Sequence, residues 1–187
     1  MTRRPGPPSG HEAGTGAAGA GIVGPVTEPA AQPSPPDPSG RPADERSGVR
    51  VVRSDRLDAN TAQTPGMFRQ AAVSAATGAS QLWAGTVSIQ PDARTGAHHH
   101  GDLESIIYVL SGRARMRWGS QLQYAAEAGP GDFIFVAPWV AHQEINADPG
   151  QPLECVLVRS GQEAVVVNLD IPAADPAGVT WVDPHHA

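Results

Sequence analysis

Hydrophobic and polar positions divide the chain at about its first third. From Phe68 onward short apolar stretches recur, at Leu82–Ile89, Ser105–Leu110, Arg113–Trp118, Phe133–Val136, Leu153–Val158 and Ala164–Leu169. Gly, Pro, Asp and Ser punctuate them, and no long segment keeps the 3.6-residue period of a helix. Such spacing predicts an all-β sandwich or barrel. Only Ala71–Ala79 reads as a short helix, with Gly78 and its β-branched residues working against it.

One hairpin is specified further. In Arg113–Trp118, Ala114, Met116 and Trp118 alternate with three arginines. A three-residue loop, Leu110-Ser111-Gly112 with Gly112 left-handed, pairs Val109 with Arg113. That register sets Ala114, Met116 and Trp118 on one face with Glu104, Ile106, Tyr108 and Leu110, and it exposes the arginines. It predicts that Glu104 points into the barrel.

Composition sharpens the division. Residues 1–48 hold ten of the 19 Pro and nine of the 21 Gly, and no aromatic residue precedes Phe68. So little large apolar surface cannot offset the entropy of ordering, and a disordered tail is expected there, extended at Pro33–Pro38. Residues 49–81 read as a transitional segment packing on the barrel, with a turn at Thr64-Pro65-Gly66. The barrel is expected over 82–170 and a C-terminal extension over 171–187.

Charge and cysteine content exclude several classes. The net charge is -6, all 13 basic residues are Arg, and no basic block exists, so no nucleic-acid partner is expected. No run of 18 apolar residues occurs, so no membrane span is expected. Ala13–Val26 follows Arg3-Arg4, but Ile22, Val23 and Val26 are too few strong apolar residues for a signal peptide. The single Cys155 forms no internal disulfide, which points to the cytoplasm. Within Leu153–Val158 it reads as a buried strand residue rather than a nucleophile.

The segment His98-His99-His100-Gly101-Asp102-Leu103-Glu104 carries the chemistry. On a strand His98 and His100 share a face while His99 points away. Gly131-Asp132 opens a later strand, and Pro138-Trp139-Val140-Ala141 turns the chain into His142. A run of three His also fits a solvated loop or an affinity-tag fragment, although tags sit at termini and strand patterns flank this run. A single internal His such as His142 is more often a satisfied polar residue. Together, three imidazoles and the Glu104 carboxylate converging in a barrel make a divalent-metal site with open positions. A thiolate-free set of this kind suits Fe, Mn, Ni, Co or Zn.

These residues resemble the two motifs of the cupin family. The first runs Gly, five residues, His-x-His, three or four residues, Glu, six residues, Gly. His98, His100 and Glu104 match it, with Gly112 one residue late and Asp92 in place of the first Gly. The second runs Gly, five residues, Pro-x-Gly, two residues, His, three residues, Asn. Gly131, His142 and Asn146 match, and Ala137 and Trp139 stand where Pro and Gly are usual. The resemblance covers about residues 82–170 and implies a single-domain cupin barrel (a double-stranded β-helix or jelly roll) binding metal through His98, His100, Glu104 and His142. It also implies a homodimer through barrel edges.

Parity adds further candidates. Tyr108 shares the inward face assigned to Glu104 and reads either as a hydrogen-bond or proton donor to a ligand, or as a core aromatic. Glu144 and Asn146 share the parity of His142 and could orient the imidazoles. Trp139 reads as a pocket wall or as a rim residue. The arginine stripe reads as a solvated face, and His185 and His186 as tail. No serine or cysteine nucleophile paired with a base, phosphate-cradling Gly loop or dinucleotide fingerprint accompanies the metal site. The expected function is therefore a metal-dependent cupin acting on a polar small-molecule metabolite, an enzyme of oxygenase, isomerase or lyase type. The alternatives are a non-catalytic metal- or ligand-binding cupin, a sensor or auxiliary subunit, and, by resemblance, a cupin that mediates N–N bond formation as in hydrazine synthetases.

Overall fold

The structure is a computed structural model that describes residues 48–61, 63–163, 165–172 and 178–182. The tail expected over 1–48 lies outside the described residues up to Ser47, as do Ala164, His185 and His186.

Among the described residues eleven strands form two sheets. The first contains β1 (Met67–Val73), β2 (Leu82–Ile89), β9 (Leu153–Ser160), β4 (Ser105–Ser111) and β7 (Phe133–Val136), in that order. The second contains β10 (Val167–Asn168), β3 (His98–His99), β8 (His142–Asn146), β5 (Ala114–Trp118), β6 (Tyr124–Ala128) and β11 (Thr180–Trp181). Pairing is antiparallel except between β11 and β6. Alternate residues of both sheets fill the space between them, including Val87, Ile89, Ile107, Val109, Met116, Leu153, Cys155 and Leu157. Cys155 is buried as expected, and burial, then the charges of Glu144 and Glu154, push its thiol up to about 12.

Two local expectations are corrected. Ala71–Ala79 is not a helix: its first residues belong to β1, and a single 3-10 turn follows at Ala75–Thr77. β1 pairs with β2 along its length, so sheet structure begins at Met67, well before residue 82. The close approach of these strands explains Gly85, where a Cβ would lie 2.1 Å from the Gln70 carbonyl oxygen.

The expected hairpin is also absent. Gly112 is left-handed, with φ +84°, but there the chain passes from one sheet to the other. β4 pairs with β7 and β9, and β5 pairs with β6 and β8. Without a shared ladder, the register that tied Glu104 to Ala114 does not exist. The inward face of β4 is Ser105, Ile107 and Val109, all buried, while Glu104, Ile106 and Leu110 are exposed. Both faces of β4 are apolar, so alternation alone could not choose between them. On β5 the arginines do face outward. Arg113 and Arg115 pair with Glu127, Arg115 lies 5.3 Å from the Trp181 ring centre, and Arg117 donates to the Leu122 carbonyl.

Candidate metal centre

The pairing of β3 with β8 creates the site. His98 lies directly opposite His142 in this antiparallel register, and His100 follows two residues after His98. All three are buried, at 3%, 5% and 2% exposure. Their ring centres are 4.4 to 5.1 Å apart, and one ring nitrogen from each lies within 4.8 Å of the others.

Each ring is also anchored from behind. Nδ1 of His98 is 3.0 Å from the Gly96 carbonyl oxygen, that of His100 is 2.8 Å from Val165 and that of His142 is 2.9 Å from Val140. A carbonyl only accepts, so each Nδ1 carries the proton and each Nε2 presents a lone pair, which on His100 accepts from Arg159. Burial, the Arg159 charge and the neighbouring imidazoles lower the pKa of His100 to about 3, against the Val165 hydrogen bond that raises it. His142 is lowered by burial and by His98, outweighing its Val140 bond. Both imidazoles are therefore neutral at pH 7, as metal ligation requires.

Four further polar side chains, Glu144, Arg69, Arg159 and Ser105, surround this group. Glu144, two residues beyond His142, has its carboxylate 4.0 Å from Arg69. Burial would raise its pKa, but His98, His142, Arg69 and His100 together hold the carboxyl below its usual range. Arg159, on the inward face of β9, is 8% exposed and reaches across to Nε2 of His100, 3.2 Å away. Its Nε donates to the Ser105 hydroxyl at 3.4 Å.

The structure separates the other sequence candidates from this group. Glu104 is exposed on the outer side of β4; its backbone N–H donates to the Ser160 hydroxyl, and its side chain is not among the clustered donors. Tyr108 lies on the same outer face, its ring 4.7 Å from that of Phe133, so it does not face the imidazoles. Trp139 is 67% exposed with its ring 5.5 Å from His99, a rim position. Asn146 is buried but orients backbone rather than imidazoles. Its Nδ2 donates to the carbonyls of Ile89 and Gln151, and its Oδ1 accepts from Asp148 N–H.

Spacing held the signal that would have found Ser105 instead of Glu104. With a four-residue gap after His100, the first motif's carboxylate position falls on Ser105 and its last Gly on Gly112 without displacement. The motif's glycine positions explain the remaining departures. Gly112 and Gly131 have φ +84° and +96°, and Asp92 and Trp139, which replace glycine, still adopt φ +60° and +63°. The backbone keeps the left-handed turn where the sequence has lost the residue that favours it. Trp139→Gly is therefore expected to relieve about 1 kcal/mol of backbone strain. Thermal denaturation should show a midpoint about 3 °C higher; a fall would mean that the His99 contact outweighs the strain.

The donor set fits a divalent metal: three buried imidazoles whose rings are fixed through Nδ1, with unprotonated Nε2 atoms and a nearby ionised carboxylate. Comparisons with known proteins agree on the fold. The family model described as "Cupin domain" matches residues 85–159. The polyketide cyclase RemF from Streptomyces resistomycificus is 25% identical with TM-score 0.56, over 66% of this chain and 87% of its own. A Klebsiella pneumoniae protein with a double-stranded β-helix domain is 17% identical with TM-score 0.51, over 65% of this chain and 98% of its own. A variant of Bacillus subtilis oxalate decarboxylase is 22% identical with TM-score 0.50, over 58% of this chain and only 29% of its own. A search of curated protein sequences finds no match. Among the described residues no helix is long and apolar enough to cross a membrane. The two-sheet architecture, the left-handed motif turns, the inward histidines and the matched segment identify residues 85–159 as a cupin domain.

Proposed function

We propose that this cupin is a divalent-metal enzyme acting on a polar small molecule, by oxygenase, isomerase or lyase chemistry. The observation that carries the reading is the common orientation of His98, His100 and His142, each with Nδ1 bound to a carbonyl so that Nε2 is the unprotonated nitrogen. These three would hold the ion, which is one of Fe, Mn, Ni, Co or Zn, and bound there it would act as a Lewis acid on a carbonyl or carboxylate. Glu144 places negative charge close to the imidazoles and offsets part of the ion's charge. His142 also borders a groove of about 570 Å³ lined by Met116, Trp118, Phe133, Phe135 and Val140, which offers room for a ligand with an apolar body.

A second reading, ring closure of a polyketide-type substrate, is favoured by that apolar groove together with the likeness to the Streptomyces cyclase. The metal requirement is common to both. Untagged protein, produced with each candidate metal in turn and analysed for metal content, is expected to hold about one ion per chain. Content far below that, for every metal offered, would sink both readings.

A further inference from the structure

A buried cation needs a partner, and among the described residues Arg159 forms no ion pair, although the charge of Glu144 supports it from farther off. The ion pairs among the described residues join Arg69 to Glu144 and Arg113 and Arg115 to Glu127; Arg159 belongs to none of them. Its two hydrogen-bond partners, the Ser105 hydroxyl and the His100 imidazole, are both neutral. A guanidinium at 8% exposure loses most of its hydration, and neutral acceptors replace little of it. Burial lowers its proton affinity, and the Arg69 charge acts in the same direction against Glu144.

The cleft in front of Arg159 is equally lopsided. It has a volume of about 250 Å³ and is lined by Asn60, Thr61, Arg69, Trp83, Gln162 and Arg159 among others, with two arginines and, among the described residues, no acid in its wall. Arg159 also shares an acceptor with the metal centre: its Nη2 is 3.2 Å from the same Nε2 of His100 that a metal requires. One lone pair cannot serve both. An ion on His100 would release the guanidinium, whose paired N–H donors match a planar carboxylate. Ser105, where the family motif has its carboxylate, supplies no negative charge, so the anion beside Arg159 would come from a ligand.

We infer that the cleft at Arg159 binds a small organic carboxylate, held by the guanidinium beside the three-histidine centre, so that the substrate of this site is an anion. The inference rests on the metal reading above, and metal and carboxylate should strengthen each other's binding.

The test uses the full chain with Zn(II), titrated calorimetrically with acetate and benzoate and with their uncharged counterparts acetamide and benzamide. At least one acid should bind saturably while its amide does not. Arg159→Gln should weaken that binding about ten- to hundredfold, and Arg159→Lys should recover part of it. Metal content, measured on the same samples, should stay at the wild-type value in both variants. Equal binding of acid and amide, carboxylate binding unchanged in Arg159→Gln, or no binding of either acid to metal-loaded wild type would overturn the inference. Wild-type protein that takes up no zinc would overturn the metal reading, a separate failure visible before any carboxylate is added.

Discussion

His142→Ala should lower metal affinity by at least about a hundredfold, whereas Glu104→Gln should leave it unchanged. His142 supplies one of the three imidazole donors clustered among the described residues, opposite His98 in the β3–β8 register, and its ring is fixed by the Val140 carbonyl. Alanine removes the lone pair outright and leaves two donors, which is too few to hold a mid-row ion against competing water. Glu104 is exposed on the other side of β4 from the buried Ser105, so changing its carboxylate to an amide touches nothing in the site. Competition against a chromogenic chelator reads both affinities, and circular dichroism checks that each variant is folded. Equal loss of metal in the two variants would refute the placement of Glu104 outside the centre.

Asn146→Ala should cost about 3 kcal/mol of stability with metal stoichiometry retained. The buried carboxamide uses both of its N–H donors, on Ile89 and Gln151, and accepts from Asp148. It thereby ties the end of β8 to the end of β2 and to the turn before β9. Alanine leaves two carbonyls without those donors and opens a void too small to be refilled well. None of the three bonds involves an imidazole, so the loss should appear in urea denaturation rather than in metal content. A cost below about 1 kcal/mol would show that water replaces the amide.

The sequence made the barrel and the three histidines legible for a simple reason. His98 and His100 share a strand face whatever that strand pairs with, and His142 follows a turn whose left-handed residue survives as Trp139. Glu104 failed because its orientation was inferred from a hairpin, and hairpin geometry holds only when consecutive strands stay in one sheet. At Gly112 they do not, and the apolar outer residues Ile106 and Leu110 disguised the face. Tyr108 failed with the same register. Asn146 was placed on the correct side, but parity says nothing about whether an amide meets a ring or a carbonyl. Arg159 was not visible at all, because its role depends on β9 facing β3 across the barrel, a contact spanning 59 residues.

The anchors behind the imidazoles have a consequence for how a metal and the folded state depend on each other. Val165, which fixes His100, is 65 residues away in sequence, and His142 is 44 residues from His98. An unfolded chain offers the local run His98-His99-His100 without fixed tautomers and without His142 held opposite it. A metal therefore binds the native state far better than the denatured ensemble, and by mass action the melting temperature should climb with free metal concentration. In that sense the ion would be the last tie across the barrel, joined after the strands have already met.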